Sequence, residues 1–476
     1  MPKIKRGQAL VIGGSIAGLC AARVLSEHFE YVTIVDRDRF DDATEYRSGV
    51  PQGRHIHVML GRGRRLMNTL FPGLDAECEA AGVPLLNVGR DMELVSIGGK
   101  APRYTSEIEL RSSSRGWLEA ALRRRVLALP GIRLLTSVEV TGLHVADGGT
   151  IDGVEIKRRD GLHEQLQAEL TVDASGRASK VTDWLQTLGY PAPDVTTVNA
   201  HLGYVTRWYR QPSTQRTTWR GALTGNRPTT NSRGGVLLPI EGDRLMVTLV
   251  GIADQQPEVN EAAFLDCARQ LISPSIYELI KDLEPVSPVY GYRATQNRWV
   301  HFERLARWPE GFVVLGDAAC CFNPVHGQGM TVSALEAELL GETLRKQGRS
   351  LRGFSRRFQR RLPKVLQAAW TLSTAEDYRW PTTEGGKPSA SARFAHWDVD
   401  RLVEVMQDNA AMVETFLTVH HLLRPPTALF RPGLVVPVVA LLARKLLAAA
   451  SLVRHPLDPP SPAQPTPGPT PITTGA

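Results

Sequence analysis

Cysteine is scarce: Cys20, Cys78, Cys267, Cys320 and Cys321 are the only five in 476 residues. Their number is odd and their spacing is not that of metal ligands, which excludes a disulfide framework and a zinc site. The adjacent Cys320 and Cys321 have no activating neighbour and read as small hydrophobes. Such cysteine usage fits a reducing cytoplasm. A short basic lead, Met1 to Arg6, runs straight into the apolar Gln8 to Ile12, which predicts no cleaved leader. Repeats of solenoid period are missing as well. The basic runs Arg62–Arg65 and Arg356–Arg361 lack a pattern of interleaved aromatic platforms. The net charge of +7 therefore predicts a solvated surface and no nucleic-acid partner.

Long apolar runs are also rare. One stands out, Leu434 to Val453, but Arg444 and Lys445 lie in its middle. Two central cations cost several kcal/mol on an insertion scale, so a helix packed on the protein is expected, with peripheral membrane contact as the second reading. The Pro-, Ser- and Thr-rich stretch 456–476 is expected to be a disordered tail.

What is present begins with a strand–turn–helix–strand unit. The apolar run ending at Ile12 meets Gly13-Gly14-Ser15-Ile16-Ala17-Gly18, then helical spacing to Leu25, then the β-branched Tyr31–Val35. Dinucleotide phosphates need a turn without side-chain bulk, so that backbone amides at a helix start can face negative charge. Gly13 makes the turn, Gly18 lets helix and strand pack closely, and Ser15 replaces the usual middle glycine with a small hydroxyl able to donate to phosphate. Asp36 follows 23 residues after Gly13, at the strand tip, where a carboxylate accepts ribose hydroxyls.

Two further strand-end stations appear. Glu169–Asp173 leads into Asp173-Ala174-Ser175-Gly176-Arg177-Ala178-Ser179. Phe312–Leu315 leads into Gly316-Asp317, followed by Asn323-Pro324-Val325-His326-Gly327-Gln328-Gly329-Met330. There Asp317 can bond a ribityl hydroxyl, Gly327 and Gly329 allow a flat ring close to the backbone, and the helix start favours negative charge on that ring. Between the stations, Val195–Val289 is rich in Thr, Val, Tyr and Trp, with turn residues at Gly225-Asn226 and Glu241-Gly242-Asp243; it reads as a strand-rich roof over a cavity. From Leu351 to Leu423 the pattern is helical, with breaks expected at Pro363, Pro381 and Pro388.

The three stations resemble those of the FAD-dependent monooxygenases of the para-hydroxybenzoate hydroxylase plan. Ser114-Arg115-Gly116-Trp117-Leu118 is similar to the helix start whose Arg reaches FAD. Arg47-Ser48-Gly49-Val50-Pro51-Gln52-Gly53-Arg54-His55-Ile56-His57 and Arg304–Gly311 resemble segments of bacterial polyether (lasalocid-type) epoxidases. The resemblance covers about residues 8 to 345. It implies an α/β (α+β) fold: a Rossmann-like FAD-binding domain (1–190, with a small insertion around 76–112, and 298–345), interleaved with a strand-rich substrate domain (191–297), then C-terminal helices (346–455). It implies FAD contacts at Gly13 to Gly18, Asp36, Arg37, Arg47, Val50, Arg54, Arg115, Val140, Asp173, Gly316, Asp317, Pro324, Gly327, Gly329 and Met330. It implies that NAD(P)H reduces the flavin, directly or through a separate flavin reductase, and that a flavin C4a-hydroperoxide gives oxygen to an apolar polyene, isoprenoid or aromatic molecule. Chemistry on the flavin needs no catalytic side chain and no metal, so none is assigned.

Several features carry less. His55 and His57 alternate and would share a strand face, but no third metal ligand has suitable spacing. His326 reads as a structural loop residue and His420-His421 as a helix surface. Tyr204, Trp208, Tyr209 and Trp219 line a cavity or pack in the core. No Trp-x-Trp-x-Ile-Pro element of tryptophan halogenases is present. A flavin halogenase, a geranylgeranyl-reductase-like isoprenoid reductase and a non-enzymatic FAD-bound scaffold remain the alternatives.

Overall fold

The structure, a computed structural model, describes residues 5–40, 47–96, 98–214, 217–226, 230–386 and 409–437, with isolated positions at 439–440, 443 and 447. The tail 456–476, Pro388, Arg444, Lys445 and most of the apolar run 434–453 lie outside the described residues. Among the described residues no helix is long and apolar enough to cross a membrane.

Uninterrupted apolar runs suit strands covered on both faces, the usual state of a parallel sheet. Five such strands pair in the order Phe312–Val314, Leu170–Asp173, Arg6–Ile12, Phe29–Val35, Ile132–Leu135, every pair parallel. The helices Ile16–Leu25, Arg115–Leu127, Gly329–Gln347 and Phe354–Asp377 pack on and around it, in one core with the strands. Register matters most for function. Ile12 stands opposite both Val35 and Asp173, and Asp173 opposite Val314, so four strands finish in one row. The turns after them all leave from the same edge, where ligands of open α/β sheets sit.

The second large sheet has seven strands, in the order Tyr290–Tyr292, Leu202–Arg210, Arg244–Ile252, Gly234–Ile240, Gly221–Thr224, Met92–Ser96, Gly99–Lys100. Side chains alternate across a strand. On Leu202–Arg210, Val205 and Tyr209 join a core under the helices Glu261–Arg269 and Ser275–Ile280, while Tyr204, Thr206 and Trp208 take the opposite face. Trp219 joins the helix-side core.

Met92–Ser96, from the region 76–112, pairs in parallel with Gly221–Thr224 and extends the seven-stranded sheet. Within the strand-rich region two helices cover that sheet's outer face. One expectation needs correcting. Pro363 does not break its helix, which runs from Phe354 to Asp377. An interior proline costs about 3 kcal/mol. The buried stripe Phe354, Phe358, Leu362, Leu366 and Ala369 offsets that by packing into the main core.

Candidate functional site

One cavity of about 550 Å³ opens along the row of strand ends. Its first wall is the turn after Ile12. Gly13 has φ +101°, and a Cβ there would sit 2.5 Å from the Ala174 carbonyl oxygen. A Cβ on Gly18 would strike the Gly13 carbonyl. Only hydrogen fits at either place, which leaves the start of the helix Ile16–Leu25 bare toward the cavity.

A buried ionic cluster stands beside that turn. Asp36 accepts the Gly14 amide at 2.7 Å and the Asp38 amide at 2.8 Å. Arg47 reaches Asp36 at 3.2 Å, Asp38 at 2.9 Å and Glu119 at 2.7 Å. Arg115 donates to Glu119 and, at 2.8 Å, to the Ser15 hydroxyl oxygen, while Ser15 donates to Glu119 at 2.8 Å. Burial alone would raise the Glu119 pKa, but Arg115, Arg47 and Ser15 outweigh it and hold the carboxyl below its ordinary range. The Ser15 hydroxyl hydrogen is therefore spent on Glu119 and not offered to a phosphate, contrary to expectation. A carboxylate has about four acceptor sites, and on Asp36 the two amides and the Arg47 N–H, 3.4 and 3.2 Å from its two oxygens, already engage them, so a ligand hydroxyl would share a site with Arg47.

Another wall is the turn after Val314. Asp317 lines the cavity with no hydrogen-bond partner among the described residues. Burial raises its pKa, against the opposing charges of Arg177, Arg115 and Arg298. Gly327 is left-handed, at φ +64°, and nothing lies within 4 Å of where a Gly329 Cβ would be. Pro324, Gly327, Gly329 and Met330 face the same space. At the far end the lining turns apolar, with Ile56, Val58, Phe322, Tyr204 and Tyr292; the two tyrosine rings lie 5.4 Å apart.

Of the expected site residues, Gly13, Ser15, Ile16, Ala17, Asp36, Arg37, Arg47, Val50, Arg115, Val140 and Asp317 line this cavity, as do the four of the 324–330 loop. Five do not. Gly14 donates its amide to Asp36, and Gly18 packs helix to strand. Asp173 turns inward to the Ser175 amide at 2.9 Å and the Ser179 hydroxyl at 2.5 Å, which fixes the middle turn. Gly316 donates to Glu336 at 2.8 Å. Arg54 lies over the Tyr290 ring and accepts the Trp208 indole N–H on its carbonyl.

Sequence reasoning passed over Glu119, Arg177 and Glu336. Glu119 stands four residues after Arg115, a spacing that pairs charges on one helix face and was legible. Glu336 is fully buried under Gly316, and burial pushes its carboxyl up to about 8. His421 is a correction: it is buried and accepts the Gly61 amide at 3.0 Å, because the helix Ala410–His420 ends against the turn that begins Gly61–Leu70. His326 sits in its loop 3.6 Å from the buried Asp377. All five cysteines are buried and free.

The glycine cradle, the waiting Asp317 and the depth of the cavity fit a dinucleotide carrying a flat ring. Comparison with known proteins agrees. The family model described as FAD binding domain matches residues 6–350. Protein Rv3254 of Mycobacterium tuberculosis is 31% identical over 391 residues, covering 78% of this chain and 80% of its own. Ubiquinone hydroxylase UbiL of Rhodospirillum rubrum is 25% identical over 356 residues, covering 71% and 72%. The fold is also that of PqsL, a probable FAD-dependent monooxygenase from Pseudomonas aeruginosa, at TM-score 0.58 and 17% identity over 78% of this chain and 97% of that one. The chain belongs to the FAD binding domain family and is an FAD-dependent oxidoreductase.

Proposed function

We propose that the protein is a monooxygenase that adds one oxygen atom from O2 to an apolar small molecule, by epoxidation of an alkene or hydroxylation of an electron-rich ring. The observation that carries this reading is a single cavity with two unlike ends. One end is built for a dinucleotide, and the other is walled by Ile56, Val58, Tyr204, Tyr292 and Phe322. UbiL, named as a hydroxylase, is among the relatives and supports oxygen transfer.

In this reading bound FAD supplies the reduction of O2 and the transfer of oxygen. The chain's own residues hold, orient and shield. The bare helix start after Gly13 and the Arg115 guanidinium meet the diphosphate, and Asp36 accepts the adenosine ribose hydroxyls. Arg47, against Asp36, Asp38 and Glu119, and Arg115, against Glu119, offset most of the charge of these carboxylates and so weaken their repulsion of the phosphates. Asp317 accepts a ribityl hydroxyl. Val50, Gly327 and Gly329 would flank the ring, and the start of Gly329–Gln347, whose first residues line the cavity, would favour negative charge on it. The seven-stranded sheet roofs the far end and keeps bulk water from the reacting face. NAD(P)H is the reductant, direct or through a flavin reductase.

The test is product mass spectrometry under 18-O labelled dioxygen, with a panel of polyenes, isoprenoids and aromatics. One labelled oxygen atom per product is expected. Turnover without O2, as a reductase would give, or turnover that requires chloride or bromide, overturns the proposal.

A further inference from the structure

His57 lies in the extended segment that forms one cavity wall. Its Nδ1 is 3.0 Å from the carbonyl oxygen of His55. A carbonyl oxygen only accepts, so Nδ1 carries the hydrogen, and in the neutral ring Nε2 carries a lone pair. Burial and the Arg115 charge hold the ring's pKa down to about 4, against the His55 carbonyl and Glu119, so the neutral form prevails at pH 7. Its other charged neighbours are few: His55 is itself held neutral by burial. No described residue donates to Nε2. The ring is half-buried and lines the cavity, so a donor on a ligand there can reach Nε2.

The neighbours say which part of a ligand arrives. His57 feels Arg115 and Glu119, the pair that meets Ser15 at the start of the first helix. Tyr204 and Tyr292, at the apolar end, feel Arg177 instead. The segment also runs beside the ring-facing loop, since the Val58 carbonyl would lie 3.7 Å from a Cβ on Gly327. His57 thus stands between the diphosphate station and the ring station. The diphosphate offers only acceptors, whereas the polyol chain between it and the ring offers O–H donors.

We propose that His57 Nε2 accepts a hydrogen bond from a ribityl hydroxyl of FAD, and so reads the cofactor's sugar chain from the wall away from Asp317. The proposal rests on FAD occupying this cavity as set out above.

Equilibrium binding to the apoprotein, followed by flavin fluorescence, tests it with FAD and three analogues that each lack one ribityl hydroxyl. Wild type should bind one analogue about 3- to 10-fold more weakly than FAD. His57→Phe should lose the same factor for FAD and no longer distinguish that analogue; His57→Leu serves if the Phe variant does not fold. His57→Gln, with an amide oxygen near the place of Nε2, should restore the distinction. The proposal is overturned if wild type binds all three analogues as tightly as FAD, or if the Phe or Leu variant still discriminates as wild type does. Failure of wild type to bind FAD at all would instead remove the cofactor assignment on which it stands.

Discussion

The two ends of the cavity are built by different means. The dinucleotide end is made of backbone turns and a closed ionic cluster, with Arg47 and Arg115 tied to Asp36, Asp38 and Glu119. The other end is made of side chains that reach in from the segment 56–58, the seven-stranded sheet and the loop at Phe322. The turn at Gly13 and Gly18 tolerates almost no substitution, because an added Cβ strikes the main chain. Side-chain walls tolerate exchange and change what fits. The cofactor end is therefore fixed by shape, and the substrate end is where specificity can vary.

Gly18→Val attacks the first end most severely. Its side chain would strike the Gly13 carbonyl. A loss of about 3 kcal/mol or more of stability and a colourless protein are expected, read by thermal melting and absorbance near the flavin band. Gly329→Val separates shape from stability, since nothing lies within 4 Å of its Cβ. It should melt within about 1 kcal/mol of wild type. Its FAD affinity should nevertheless fall about 100-fold, because the side chain enters the cavity.

Glu336→Gln probes the support beneath the Gly316 turn. Burial, with the Asp317 charge adding to it and the Gly316 amide opposing, raises the Glu336 carboxyl from 4.5 to about 8. Stability from a group raised in the folded state is fully present below the unfolded value and lost as pH rises through the folded one. Wild type should accordingly lose melting temperature relative to the Gln variant between pH 5 and pH 9, by on the order of 3 °C. A constant difference across that range contradicts the assignment. The smallest effect belongs to the second end. Tyr292→Leu should leave FAD affinity within about twofold and shift KM for the apolar substrate about 3- to 10-fold. Flavin loss in this variant would erase the division between the ends.

The sequence was legible where function is written in a short stretch. Gly13 to Gly18, Asp36 and the 316–330 turn each combine a strand end with a spaced motif, and their meeting follows from parallel strands finishing in one row. Glu119 was passed over although its spacing from Arg115 announced it. Glu336 gave no signal, since a carboxylate on an amphipathic helix reads as solvent-facing until the sheet above it is known. Ser15 looked like a phosphate donor because its partner lies 104 residues away. At the apolar end only Tyr204 was a cavity candidate: Tyr292 comes beside it through the sheet pairing, and Ile56 and Phe322 reach the cavity from loops. Pro363 misled because tertiary packing outweighs a local helix breaker.

The most direct measurement is an experimental structure of the protein with FAD bound. The account predicts the adenosine at Asp36, the diphosphate over the turn after Gly13, and the ring against the 327–329 loop with its open face toward the tyrosine pair. Flavin density at any other place, or a ring turned away from Tyr204 and Tyr292, would contradict it.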